Sequence, residues 1–127
     1  MTENEVATQI VDVAFKIHTT YWPGLLESVY EKIMAYELHK RGLRVRCQQG
    51  IPVFHENIKM DLGFRADLIV EDKVVIEIKS DEAIAPVHKK QLLTYLRLAD
   101  KRLGLLINFN VELIKNGTSR VVNGLAE

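Results

Sequence analysis

Phe64-Arg65-Ala66-Asp67-Leu68-Ile69-Val70, then Glu71-Asp72-Lys73, then Val74-Val75-Ile76-Glu77-Ile78-Lys79, is the stretch that decides the fold. Asp61 to Val70 and Lys73 to Ser80 read as two strands around the polar tip Glu71-Asp72-Lys73. Each strand has apolar residues on both faces, which places both in the middle of a sheet. Residues two apart in a strand share a face, so Glu77 and Lys79 leave an apolar strand in the same direction. A charge on such a strand is costly unless it is paired or bound to metal. Asp67 joins them under one condition. If Val70 faces Val74 across a three-residue loop, Asp67 faces Glu77 and Arg65 faces Lys79. A two-residue loop would pair Asp67 with Ile76 and send Glu77 to the other side. The three-residue arrangement also gathers Leu68, Val70, Val74, Ile76 and Ile78 into one hydrophobic layer.

Two carboxylates on one face suit Mg²⁺, with Mn²⁺ as a substitute. Mg²⁺ takes oxygen ligands and keeps several waters. The carbonyl of Ile78, between Glu77 and Lys79, is a further candidate ligand. Such a metal polarises a phosphoryl oxygen and helps to activate water. Lys79 is placed to orient that water or to stabilise charge on the phosphate. An Asp, a Glu ten residues on and a Lys two further is also a pattern that a structural ion pair produces.

Working outward, apolar residues at helical spacing (Val6, Ile10, Val13, Ala14, Ile17) predict a helix over about Glu3 to Thr19, capped by Thr2 or Asn4. After a break at Tyr21-Trp22-Pro23-Gly24, a second helix is expected over about Leu25 to Arg41. Its apolar face is Leu26, Val29, Tyr30, Ile33 and Leu38, and Gly42 stands just past its end. Leu43, Val45 and Cys47 alternate with Arg44, Arg46 and Gln48 as a half-exposed strand, with Ile51 to Phe54 as a continuation or edge piece around Pro52. Pro86 opens a third helix to about Ala99. Leu103 to Phe109 is a buried strand reached by a helical crossover. Asn116-Gly117, between Val111–Lys115 and Thr118–Val122, signals a two-residue hairpin. The expectation is a mixed sheet with helices packed on it.

The totals bound the answer further. The chain has 127 residues, which fits one domain over 1–127. Lys plus Arg equal Asp plus Glu at 17 each, so overall charge makes no case for nucleic-acid or membrane binding, and any basic surface is local. Two local stripes stand out, Lys40, Arg41, Arg44 and Arg46, and Lys89, Lys90, Arg97, Lys101 and Arg102. No apolar run spans a bilayer, and the acidic N-terminus is not a signal peptide. The lone Cys47 rules out an intrachain disulfide and reads as a small core residue, with the cytoplasm as the expected location. His18, His39, His55 and His88 lack metal-ligand spacing, and His88 reads as a helix-start residue.

Gly24-Leu25-Leu26-Glu27-Ser28-Val29-Tyr30 resembles the signature of the GxxExxY protein family, a branch that looks like the PD-(D/E)XK nuclease superfamily. The resemblance runs from about Val6 to Gly124. It includes Phe64 to Asp67, Glu77-x-Lys79, Pro86-Val87-His88, Gln91-Leu92-Leu93-x-Tyr95 and Leu105 to Phe109. It implies an α/β, restriction-endonuclease-like fold with an αβββαβ core, a mixed central sheet flanked by helices, an N-terminal helix and a C-terminal hairpin. It also implies that Asp67, Glu77 and Lys79 fill the catalytic signature. By the same resemblance Glu27 is the helical acid that contributes to the metal site, and Gln91 supports it. The chain departs from the pattern at Tyr21-Trp22, where a smaller residue would be expected beside the proline, and at Ser80, where alanine would be usual.

Those residues also have plainer readings. Gly24 can be a turn glycine, and Tyr30 can be a core residue with its hydroxyl bonded at the edge. Gln91 and Tyr95, four apart, share a helix face. The expectation is a Mg²⁺-dependent nuclease acting on nucleic acid, with DNA ahead of RNA. A homodimer or a partner protein would add grip. The alternative is a non-catalytic nucleic-acid-binding or protein-interaction module that keeps the fold. In a third reading, a structural protein, the charged cluster is an internal salt bridge.

Overall fold

The structure is a computed structural model that describes residues 1–126, apart from the side chains of residues 61 and 62. Helix α1 (Glu3–Tyr21) starts at a capping box. Glu5 N donates to Thr2 Oγ1 at 3.2 Å, and Thr2 N donates to Glu5 Oε1 at 3.0 Å. Its buried stripe includes Val6, Ile10, Val13, Ala14 and Ile17, as the spacing predicts. Helix α2 (Glu27–Lys40) ends with Gly42 at φ 85°. Its buried face is narrower than expected. Tyr30, Met34 and Leu38 are buried and Ile33 packs at the margin, while Leu26 and Val29 are exposed.

Strand β1 (Val45–His55) is one long edge strand, which tolerates Pro52. It turns through Glu56-Asn57, both at positive φ, into β2 (Ile58–Val70). Strand β3 (Val74–Lys79) follows across Glu71-Asp72-Lys73, and Val70 does face Val74. Helix α3 (Pro86–Ala99) carries the chain over to β4 (Leu103–Asn108), which pairs parallel with β3. The strand and hairpin expected around Asn116-Gly117 are not formed. Val111–Lys115 is no strand, and Ile114–Gly117 is a single helical turn, α4, leading to β5 (Thr118–Val122). Gly117 is there because a Cβ would run into the Asn108 carbonyl. Strand β5 pairs antiparallel with β4, so the C-terminal strand is found but its turn is not.

The five-stranded mixed sheet runs β1-β2-β3-β4-β5. One face packs on α1 and α2 through Leu68, Val70, Val74, Ile76 and Ile78, the layer foreseen from the sequence. The other packs on α3 through Ala66, Ile69, Val75, Leu92, Leu96 and Leu106. Leu68 and Ala66 are two apart yet serve opposite cores, so the alternation of β2 slips at Asp67. Strand β1 slips with it, since Val45 joins the first core and Ile51 the second. Gln48, at φ 50°, lies between the rungs Cys47–Leu68 and Gln49–Ala66, and this is where the slip occurs. Among the described residues, no helix is long and apolar enough to cross a membrane.

Candidate active site

The slip decides where Asp67 points. The β2–β3 ladder holds Val70–Val74, Ile69–Val75 and Leu68–Ile76. At Asp67 a side chain takes over the bonding: Ile78 N donates to Asp67 Oδ2 at 2.8 Å, and Asp67 N lies 3.4 Å from Glu77 Oε1. The two carboxylates therefore meet at the seam between β2 and β3. The expected facing of Arg65 and Lys79 is not among the ladder pairs. Arg65 is exposed and donates to Gln48 O at 3.5 Å, because β2 beyond the slip follows β1.

The electrostatics of the seam are those of two acids without a counter-ion. Burial, and then the Asp67 charge, push the Glu77 carboxyl up to about 8. Lys79 is close enough for its charge to favour the Glu77 carboxylate, but among the described residues it forms no ion pair within 4 Å. Tyr95, on α3, has its hydroxyl pKa raised by burial and by the charges of Glu77 and Asp67, which places it at the same seam.

Two residues that the sequence reading did not single out for the site complete the cluster. Gln48 Nε2 donates to Glu31 Oε1 at 2.6 Å and lies 3.3 Å from Asp67 Oδ1, so it ties α2 to β2. Burial raises the pKa of Glu31, and Asp67 adds to the effect. Glu31 was accessible to reasoning, since it lies one turn after Glu27 on the same helix face. Gln48 was not, because its place depends on a left-handed backbone that no local pattern announces.

The remaining candidates divide. Glu27 stands at the far end of β3, where Ser80 N donates to its Oε2 at 3.3 Å. Gly24, at φ 129°, is the turn glycine. Tyr30 is fully buried, stacked on Phe109 at 4.3 Å, with its hydroxyl donating to Trp22 O at 2.6 Å and accepting from Leu25 N at 3.2 Å. Gln91 is exposed on α3 and, among the described residues, makes no hydrogen bond to the carboxylates. His88 does act at its helix start, where its Nδ1 accepts from Ala85 N at 3.2 Å. Cys47, expected in the core, is exposed, since β1 is an edge.

The model of the PD-(D/E)XK nuclease superfamily matches residues 4–121. The chain belongs to that superfamily. No curated protein and no solved structure matches it. PD-(D/E)XK nucleases act on nucleic acid and generally use divalent metal ions, and the seam suits such an ion. Asp67 and Glu77 offer hard oxygen donors. Among the described residues no group of three His, Cys, Asp or Glu side chains forms a ready cage for a metal ion. The Ile78 N–H points at Asp67, and in a strand the carbonyl of the same residue points to the same edge.

Proposed function

We propose that this protein is a Mg²⁺-dependent phosphodiester hydrolase acting on DNA, with RNA as the second substrate class, and that it is of the GxxExxY branch. The observation that carries the reading is the meeting of Asp67 and Glu77 at the seam with, among the described residues, no cationic side chain in ion-pair contact. In this reading Asp67, Glu77 and the Ile78 carbonyl hold the ion, with Mn²⁺ as a substitute. When bound, the ion polarises the phosphoryl oxygen and lowers the pKa of water. Lys79 orients the attacking water or stabilises charge on the phosphate. Glu27 assists from α2, and Gln91 supports the site when substrate is bound. Gly24, Glu27 and Tyr30 each have a physical task here, which supports the branch assignment: a positive-φ turn, a bond to Ser80, and a core anchor for the loop.

The cytoplasm, where Cys47 stays reduced, is the proposed location. Residues 1–127 act as one domain, with a second copy or a partner protein adding grip on the substrate. The competing reading is a binding module without catalysis, and Gln91, exposed and among the described residues not bonded to the carboxylates, favours it. A structural ion pair is disfavoured, because Lys79 is not in one with either acid. The deciding experiment is a cleavage assay on single-stranded, duplex and branched DNA and RNA with Mg²⁺ or Mn²⁺. Metal-dependent cutting that Lys79→Ala abolishes is expected. Absence of cutting on every substrate, with binding retained, would leave the binding module.

A further inference from the structure

Trp22 follows the last residue of α1 with φ 59° and ψ −180°, a backbone region that glycine occupies and side chains avoid. Bonds on both sides fix it there. Its N–H donates to His18 O at 2.9 Å, and its carbonyl accepts the Tyr30 hydroxyl at 2.6 Å. Glycine would satisfy the same bonds without strain. Core packing does not account for the indole either. Trp22 is 61% exposed, and its ring contact is with His18, centroids 6.2 Å apart.

The position of this loop gives the exposed ring a use. Trp22-Pro23-Gly24-Leu25-Leu26 leads into Glu27, and the loop is tied to the residue after Lys79. Ser80 Oγ donates to Leu25 O at 3.2 Å, and Ser80 N donates to Glu27 Oε2 at 3.3 Å. Gly24, Leu25, Leu26, Glu27, Ser80 and Asn110 line a cleft at this junction. With Glu27 in its wall, the cleft gives a phosphate backbone little electrostatic attraction. A neutral aromatic face holds a base without needing positive charge.

We propose that Trp22 is a stacking platform for an unpaired base of the substrate, so that the protein prefers single-stranded or frayed nucleic acid to continuous duplex. This rests on the hydrolase reading and specifies its substrate class. A base within a duplex has both faces covered by its neighbours, so away from the duplex ends a lone indole stacks only on one that is unpaired or extruded.

Trp22 is the sole tryptophan, so its fluorescence reads the contact directly. In a Lys79→Ala background with Mg²⁺, a labelled single strand and a matched blunt duplex are titrated while indole emission and label anisotropy are followed together. Single strand is expected to quench the indole saturably as anisotropy rises, and duplex is not. Trp22→Gly should bind single strand about five- to a hundredfold more weakly, with a melting temperature equal to or above that of the parent. Trp22→Phe should recover most of the affinity. Binding without quenching, or Trp22→Gly binding like the parent, overturns the stacking proposal and leaves the hydrolase reading standing. If no strand binds and metal-dependent cleavage is absent with Lys79 intact, both fall.

Discussion

A proton sits on Glu77 at neutral pH because burial and the Asp67 charge disfavour its ionised form, at a pKa near 8 against an ordinary 4.5. Between those values the folded chain holds a proton that the unfolded chain has lost. This contribution to stability is therefore full below about 4.5 and is lost as pH rises through about 8. Metal binding needs the carboxylate, so it expels the proton and strengthens with pH. The rise in melting temperature caused by Mg²⁺ or Mn²⁺ should be larger at pH 8 than at pH 6, and Asp67→Ala should abolish it. Glu77→Gln should also abolish the metal response while stabilising the metal-free protein at pH 9, by roughly 1–3 kcal/mol in denaturant titrations. That Asp67 and Glu77 come together was legible in the sequence, from strand period and loop length, but the slip that turns Asp67 to the seam was not. Nor was the Gln48 bridge, because it needs α2 and β1 brought together in three dimensions.

At the scale of elements, the sequence marked the three long helices and the central strands, where period and caps agree. It failed where one residue type serves two ends. Asn116-Gly117 looks like a hairpin turn, but Gly117 is needed for the close passage of Asn108 O. Thr118 Oγ1, donating to Ile114 O at 2.9 Å, closes the helical turn instead. Gly117→Ala should therefore destabilise the fold by about 1–3 kcal/mol through overpacking, read as a lower denaturation midpoint at an unchanged slope. The real two-residue turn, Glu56-Asn57, carries no glycine and gave no such signal. On α2, Leu26 and Val29 were misassigned because hydrophobicity alone does not say where a helix meets its sheet.

At the scale of the molecule, the balance of 17 basic and 17 acidic residues is partly spent inside the fold. Arg41 pairs with Asp12 at 2.7 Å, Arg44 with Glu71 at 3.0 Å and Lys101 with Asp72 at 3.0 Å, so both basic stripes seen in the sequence are partly neutralised. Within those stripes Lys40, Arg46, Lys89, Lys90, Arg97 and Arg102 form no ion pair among the described residues and remain for phosphate. Binding to a single-stranded oligonucleotide should therefore weaken with salt, at a log–log slope of about −0.7 for each phosphate contacted. The turn Glu71-Asp72-Lys73 lies among the ion pairs, tied to Arg44 on one side and to Lys101 on the other. Surface turns ordinarily drift in size between related genes, because little depends on them. A one-residue insertion or deletion in this one would send Glu77 to the side of the sheet away from Asp67, pressing an acid into the hydrophobic layer and dismantling the proposed ion site. If the two acids act as proposed, the length of this turn is as much a part of the site as the acids themselves.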